Sequence, residues 1–396
     1  MPEVAEVAHV CAQLKRNVLG TVVTNIKLQN DKLLFPALKT CANDTAAKNE
    51  LERINRSLSM STIDSVGRHG KYFWIRYLKS AGSHIKRERS KRIKTSPEGG
   101  VLLMHFGMTG MVKLKGIESH LVFMENGGDK IILKKKTKAE TVTAKAESAS
   151  TKNDEDEEDE EGGDSEFWPP KYTKFEMTLS NDKGEDILFA FKDPRRLGRI
   201  RVFYEPLTDE QLLQQAPLVD QGPDYSKPST YVQLKDNIFI LGDPDPDNHG
   251  RPMLSFEQFK QLIMKKKKAI KALLLDQGLF AGVGNWVGDE ICYQAKIHPN
   301  EVLSTALTKI GDDLIRDGIL KRLYDSLIYV CNESVRVEGE VERFAEDWLM
   351  LYRWGKRRKN VVQKTPQGYR VDYITIGGRT SCYVPELQKP ITKNTK

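Results

Sequence analysis

The sequence predicts an α+β protein of two domains, the first mainly β and opened by one helix, the second helical and closed by a short β segment. Three observations carry this. Stretches rich in aromatic and β-branched residues recur through the first half, separated by glycine and asparagine turns. From about residue 205 the apolar residues take up helical spacing, with helix-start signals at Thr208-x-x-Gln211 and Ser255-x-x-Gln258. After Phe344 the pattern returns to strands and turns. A chain of 396 residues is long enough for two ordinary cores.

Residues 3–18 form the first helix, because Val4, Val7, Cys11, Leu14 and Val18 recur at helical spacing. Residues 66–77 read as strand, and 101–114 as two strands joined by a glycine-rich turn. Residues 175–180 and 186–191 flank Asn181-Asp182-Lys183-Gly184, a hairpin turn. Two polar segments interrupt this half: 82–98, which is basic, and 134–166, which runs from lysines into an acidic tract. Neither buries enough apolar surface to offset the entropy of ordering it, so both are expected to be disordered inserts. Helices are expected at 208–215, 255–276, 286–294 and 304–333, then strands within 368–376 and 382–384. The domains are accordingly 2–205, 206–340 and 341–390, with a tail at 391–396.

Hydrophobic residues make up 39 % and charged residues 30 %, and no apolar run reaches the roughly 18 residues of a membrane helix. The first residues are acidic, unlike a secretory signal, so no membrane role is expected. The five cysteines are scattered, with no C-x-x-C, which argues against a disulfide framework or a cysteine zinc site and for a reducing compartment. The formal net charge is +7, but ten acids lie between Asp154 and Glu166; with those set aside the remainder carries +17 and suits a polyanionic partner. The acidic tract itself reads as a solvated tail.

The chemistry begins at Pro2. A proline in second position favours removal of Met1, which makes Pro2 the expected N-terminus. An α-amine has a reference pKa of about 7.7–8, against about 10.4 for lysine, so far more of it is unprotonated at neutral pH. A secondary amine attacking a sugar C1′ yields an iminium. The Glu3 carboxyl beside it can protonate the ring oxygen and later take the proton back. Both stand at a helix start, which favours a nearby phosphate. Taken alone, the two residues are better explained as good first-turn helix formers.

Further motifs follow in a fixed order: Gly67-Arg68-His69-Gly70-Lys71-Tyr72, His105-Phe106-Gly107-Met108-Thr109-Gly110 and Asp193-Pro194-Arg195-Arg196-Leu197-Gly198. The second half adds Lys271, Asp276-Gln277, Ala281-Gly282-Val283-Gly284-Asn285-Trp286, Asp289-Glu290-Ile291 and Ile297-His298-Pro299. Together these resemble the formamidopyrimidine-DNA glycosylase family over nearly the whole chain apart from the inserts and tail. The resemblance implies an N-terminal β-sandwich, a helix-two-turn-helix domain and a terminal β-hairpin finger. It implies that Pro2 is the nucleophile, Glu3 the acid/base and Lys71 a phosphate-binding catalytic residue. Glu6 matches the second acid. Met108, Arg195 and Leu197 would fill the gap left by a flipped base, which such an enzyme must extrude to reach the buried bond. Leu197 departs from the phenylalanine usual in bacterial members. Lys271 and Asn285 would hold phosphates at the lesion.

The closing stretch, 373–389, lacks the four cysteines of the bacterial zinc finger and resembles the zincless finger of plant and fungal members; Arg379, after its turn, would contact the lesion phosphate. No metal or cofactor is implied, and Cys382 reads as a packing residue. The segment before Trp348-Leu349 is shorter than in bacterial members, as in plant and fungal relatives that favour ring-opened purines and hydantoins. The implied function is excision of oxidised purines from damaged duplex DNA, with β,δ-elimination at the abasic site, by a nuclear monomer. The alternatives are an endonuclease VIII-like enzyme for oxidised pyrimidines, against which H-F-G-M with D-P-R-R speaks, and a catalytically silent lesion-binding protein.

Overall fold

The computed structural model describes residues 2–79, 98–121, 167–227, 251, 253–357 and 362–391. Both expected inserts lie outside the described residues, apart from residue 98, as does most of the expected tail.

Helix α1 (Val4–Val18) opens the chain and is followed by β1 (Val22–Leu28), helix α2 (Asp44–Leu58), β2 (Ser61–His69), β3 (Tyr72–Lys79), β4 (Gly99–His105) and β5 (Met111–Leu114). Strands β6 (Thr173–Ser180), β7 (Asp186–Lys192) and β8 (Arg199–Phe203) complete a sheet of order β5-β7-β6-β1-β2-β3-β4-β8. Strands β1 and β2 meet at one register position, Val22 opposite Thr62, whereas β1 pairs with β6, and β2 with β3, along their lengths. The sheet therefore folds at that corner. Val23, Phe175, Met177 and Phe189 from one half share a core with Ile63, Phe73, Ile75 and Leu102 from the other, as in a sandwich.

Three local readings change. The expected strand 66–77 is two strands, because Gly70, at φ +56°, reverses the chain between them. The strands within 101–114 are not partners: β4 pairs with β3 and β8, and β5 with β7, so 106–110 crosses between the two halves. The sequence reading also passed over β1, β8 and α2. Helix α2 buries only Ala47, Ile54 and Leu58, too thin an apolar stripe to announce itself, although Asn43 caps it by accepting the Ala46 N–H at 2.9 Å. The 181–184 turn closes the β6–β7 hairpin, with Gly184 at φ +79°.

The second domain holds α3 (Asp209–Leu213), α4 (Phe256–Lys265), α5 (Ile270–Leu274), α6 (Asn285–Gln294), α7 (Leu303–Ala306) and α8 (Asp313–Arg336). The expected helix 255–276 breaks after Lys265. The Ile270 and Lys271 amides donate instead to the carbonyls of Glu301 and Pro299, at 2.8 and 3.1 Å, so a neighbouring loop supplies what helix continuity would have. The expected helix 304–333 breaks likewise, and Asp312 caps the long second part by accepting from Leu314 and Ile315. Strands β9 (Asp372–Ile376) and β10 (Arg379–Tyr383) form the closing hairpin, packed on α6 through Tyr293, Leu349, Val371 and Cys382. Among the described residues no helix is long and apolar enough to cross a membrane.

Helix α1 sits at the junction of the domains. One face of its first two turns, Val4, Ala5 and Ala8, belongs to the core of the helical domain, while Val7, Val10, Cys11 and Leu14 belong to the sandwich. Each fully buried aliphatic side chain is worth about 1.5–3 kcal/mol, so two cores hold the start of the chain in place.

Candidate active site

Glu3 is fully buried, and its carboxylate closes the N-terminus of α6: Oε1 accepts the Trp286 N–H at 3.1 Å and Oε2 the Val287 N–H at 3.1 Å. These are two of the amides a helix leaves unpaired at its start, where the helix dipole favours a negative charge. Gly284 precedes them, and a Cβ there would lie 2.1 Å from the Glu3 carboxyl carbon. That position requires glycine because Glu3 occupies the space a side chain would need.

Pro2 is buried immediately ahead of Glu3. The Glu3 N–H donates to Glu6 Oε2 at 2.8 Å, and Glu6 Oε1 accepts the Trp286 indole N–H at 3.1 Å. Burial, together with the adjacent Glu3 charge, pushes the Glu6 carboxyl up to about 7. The second acid therefore serves an internal network in this structure, with both oxygens engaged.

The Gly282-Val283-Gly284 turn is shaped from behind by Gln277, which accepts the Gly282 N–H at 3.1 Å and donates to the Val283 carbonyl at 2.7 Å. Gly282 in turn accepts the Val4 N–H at 3.1 Å. The turn that carries Lys71 abuts this one: a Cβ on Gly70 would come within 2.8 Å of the Gly282 nitrogen. Glu3, Glu6, Lys71 and the 282–285 turn are thus gathered at one junction. Lys71 is largely buried beside His105, whose imidazole is held at about 4 by burial and by the Lys71 and Arg199 charges, so the ring is neutral at physiological pH.

Asp224, in the segment between the domains, holds the Lys71 turn. Its Oδ2 accepts the Gly70 N–H at 2.8 Å and Arg68 at 2.9 Å, and all three groups are buried. His69 adds a bond between Nε2 and the Gly222 carbonyl at 2.8 Å.

Met108 and Leu197 are 37 % and 38 % exposed, and their loops touch: a Cβ on Gly107 would lie 2.3 Å from the Leu197 carbonyl carbon. Asp193 ties the pair by accepting Thr109 Oγ1 at 3.1 Å and the Gly198 N–H at 2.6 Å. Arg196, at φ +56°, pairs with Asp31 through bonds of 2.9 and 3.0 Å while remaining half-exposed, and Arg195 beside it is exposed as well.

Lys271 requires a correction. Its side chain is 0 % exposed, and its ammonium donates to Asp289 Oδ1 and to the Asn285 carbonyl. It braces the 282–285 turn from inside and does not face a phosphate. Asn285 lies at that turn with Nδ2 donating to the Thr380 carbonyl at 3.0 Å, and Arg379 is exposed beside the hairpin turn. Sequence reasoning assigned no role to Asp224, Asp289, Trp286 or Arg353. Asp224 and Asp289 stood in quotable motifs, Gly-Pro-Asp and Asp-Glu-Ile, but an ion pair between segments so far apart leaves no periodic trace.

Family models match this chain in two places: the formamidopyrimidine-DNA glycosylase N-terminal domain at residues 1–200, and the formamidopyrimidine-DNA glycosylase H2TH domain at residues 243–344. A formamidopyrimidine-DNA glycosylase of Arabidopsis thaliana is 26 % identical over 396 residues, spanning 100 % of this chain and 73 % of the relative. That of Lactococcus lactis is 30 % identical over 224 residues, spanning 55 % of this chain and 71 % of the relative. Among solved structures, the Lactococcus lactis enzyme bound non-covalently to DNA containing an AP site superimposes with a TM-score of 0.57 at 18 % identity, covering 98 % of this chain and 99 % of that one. MutM in complex with DNA containing carbocyclic 8-oxo-G superimposes with a TM-score of 0.58 at 18 % identity, covering 98 % and 100 %. With its sandwich, its helix-two-turn-helix domain and Glu3 seated between them, the chain belongs to the formamidopyrimidine-DNA glycosylase family of base-excision-repair enzymes.

Proposed function

We propose that this protein excises oxidised purines, namely formamidopyrimidines, hydantoins and 8-oxoguanine, from duplex DNA and then cleaves the abasic site by β,δ-elimination. Once Met1 is removed, the Pro2 secondary amine attacks the sugar C1′ and the C1′–base bond breaks, the departing base taking a proton from solvent; Glu3 then accepts the proton of the alkylated amine and passes it to the ring oxygen as the C1′–O4′ bond opens to the iminium. The iminium acidifies the C2′ hydrogen; loss of that proton expels the 3′ phosphate, a second elimination expels the 5′ phosphate, and hydrolysis frees Pro2. The observation that carries the reading is the Glu3 carboxylate, buried beside Pro2 and held by the Trp286 and Val287 amides. The fold-level neighbours bound to AP-site DNA and to carbocyclic 8-oxo-G DNA support it. The partner is damaged duplex DNA, and the protein acts as a nuclear monomer.

Borohydride reduction during turnover tests the mechanism. It should fix the protein covalently to abasic or lesion DNA, with peptide mapping placing the adduct at residue 2. An adduct on a lysine overturns the assignment, and a tag fused ahead of Pro2 should abolish trapping. A panel of lesion duplexes then ranks oxidised purines against oxidised pyrimidines.

A further inference from the structure

The β9–β10 hairpin closes on Gly377 and Gly378, at φ +55° and +75°, a turn shape that suits the twist of an antiparallel pair. In such a pair alternate residues of the outer strand turn their N–H and C=O away from the partner. On β10 the outward groups include the Thr380 carbonyl and the Cys382 N–H, and α6 takes both. Asn285 Nδ2 donates to the first at 3.0 Å, and Asp289 Oδ2 accepts the second at 3.1 Å. Residues four apart on a helix are about 6 Å apart along its axis. Two residues of a strand span about 6.7 Å. The repeats match, so two side chains of one helix face stand where the next strand's backbone would be.

Asp289 does more than cover an edge. It is buried, Lys271 donates to its Oδ1, and Arg353 Nε donates to Oδ2 at 2.8 Å. Lys271 comes from α5, and Arg353 from the segment Leu349–Arg357. One carboxylate therefore joins α5, α6, that segment and the hairpin. A buried ion cluster is weak evidence for stability, because desolvation offsets most of the attraction. Its directional bonds nevertheless define where the hairpin sits.

We propose that Asp289 is a positioning residue for DNA binding: it seats the hairpin on α6 and thereby sets Arg379 relative to the Asn285 turn. The proposal rests on the reading of Arg379 as a phosphate contact. Lesion-duplex binding by the full chain, measured across a range of salt concentrations, tests it with four proteins: wild type, Arg379→Ala, the charge-balanced pair Asp289→Leu with Lys271→Met, and all three changes together. Arg379→Ala is expected to weaken binding about tenfold, the order of a lost charge-assisted hydrogen bond, and to lower the salt slope by about one. The Asp289 pair should show a similar loss and a similar slope, and the triple variant should fall little further. Losses that simply multiply show that Asp289 does not act through Arg379 and overturn the proposal, leaving the phosphate reading intact. An Arg379→Ala protein with unchanged affinity and slope overturns that reading, and the proposal with it. Cys382→Pro removes the same hydrogen bond from the strand side without touching a charge, and its ring, filling the place of the N–H, pushes the strand off the Asp289 carboxylate. It should reproduce the same non-additivity with Arg379→Ala, and additive behaviour there counts against Asp289 even where the charge-changed protein fails to fold.

Discussion

Asp224 Oδ2 accepts the Gly70 N–H at 2.8 Å and the Arg68 guanidinium at 2.9 Å, so one buried carboxylate from the inter-domain segment fixes the turn that presents Lys71. Oδ1 is satisfied as well, by the Ser226 N–H at 2.9 Å and its hydroxyl at 2.6 Å. Burial alone would raise the Asp224 carboxyl, but the Arg68 charge beside it prevails and holds it far below the ordinary carboxylate range.

Removing that carboxylate takes the counter-charge from Arg68, which has no exposure to solvent. Asp224→Ala is therefore expected to cost about 3–5 kcal/mol, read as a lowered thermal midpoint. Because the folded-state pKa is depressed, the stabilisation is full above the unfolded value near 4 and fades as pH falls below it. Asp224→Asn should lose that acid-side dependence. An unchanged midpoint in Asp224→Ala would show that the clamp contributes nothing.

Glu3→Gln is not a silent isostere in this setting. Each Glu3 oxygen accepts a backbone N–H, at 3.1 Å in both cases, and glutamine keeps one acceptor and sets an NH₂ against the other amide. A stability loss of about 1–3 kcal/mol is expected alongside loss of base excision. Lesion binding by the fraction that remains folded should persist. Normal excision by Glu3→Gln rules out the acid/base role.

Glu6 gives a pH signature. Its carboxyl is raised from 4.5 to about 7 by burial and by Glu3, so the folded protein prefers it protonated. Its contribution to stability is full below about pH 4.5 and is lost as pH rises through about 7. Glu290, buried and also raised to about 7, contributes in the same window. Glu6→Gln should therefore flatten, without abolishing, the fall in thermal midpoint between these pH values, by an amount on the order of 2 kcal/mol. A wild-type-like slope in Glu6→Gln would place the titration elsewhere.

The loops that carry Met108 and Leu197 touch at Gly107, and both side chains are partly exposed. If they fill the space of an extruded nucleotide, truncating both to alanine should slow excision from a fully paired duplex at least tenfold, since unstacking costs a few kcal/mol. The same protein should lose much less on a lesion opposite a mismatch, where part of that cost is already met. Equal losses on both substrates would remove the wedge role.

Much of the architecture was legible before any coordinates. Helix α1 announced itself by the spacing of Val4, Val7, Cys11 and Leu14, the β6–β7 hairpin by its Asn-Asp-Lys-Gly turn, and α3 and α4 by their Thr208 and Ser255 caps. These signals are local: a few neighbouring residues satisfy their own backbone groups. Helix α2 and the breaks after Lys265 and Ala306 were missed, because sparse burial weakens periodicity and a distant loop can replace helical hydrogen bonds.

By itself the sequence determined which groups the family resemblance singles out, namely Pro2, Glu3, Lys71 and Arg379, and the order of domains that carries them. Only the tertiary structure decided how they are held. It buried Lys271 against Asp289, paired Arg196 with Asp31, and placed Asp224 under the Lys71 turn. These are bonds between residues far apart in the chain, where the cost of desolvating a charge is offset only by a partner that folding brings within about 3 Å, and no pattern of neighbouring residues records which partner that will be.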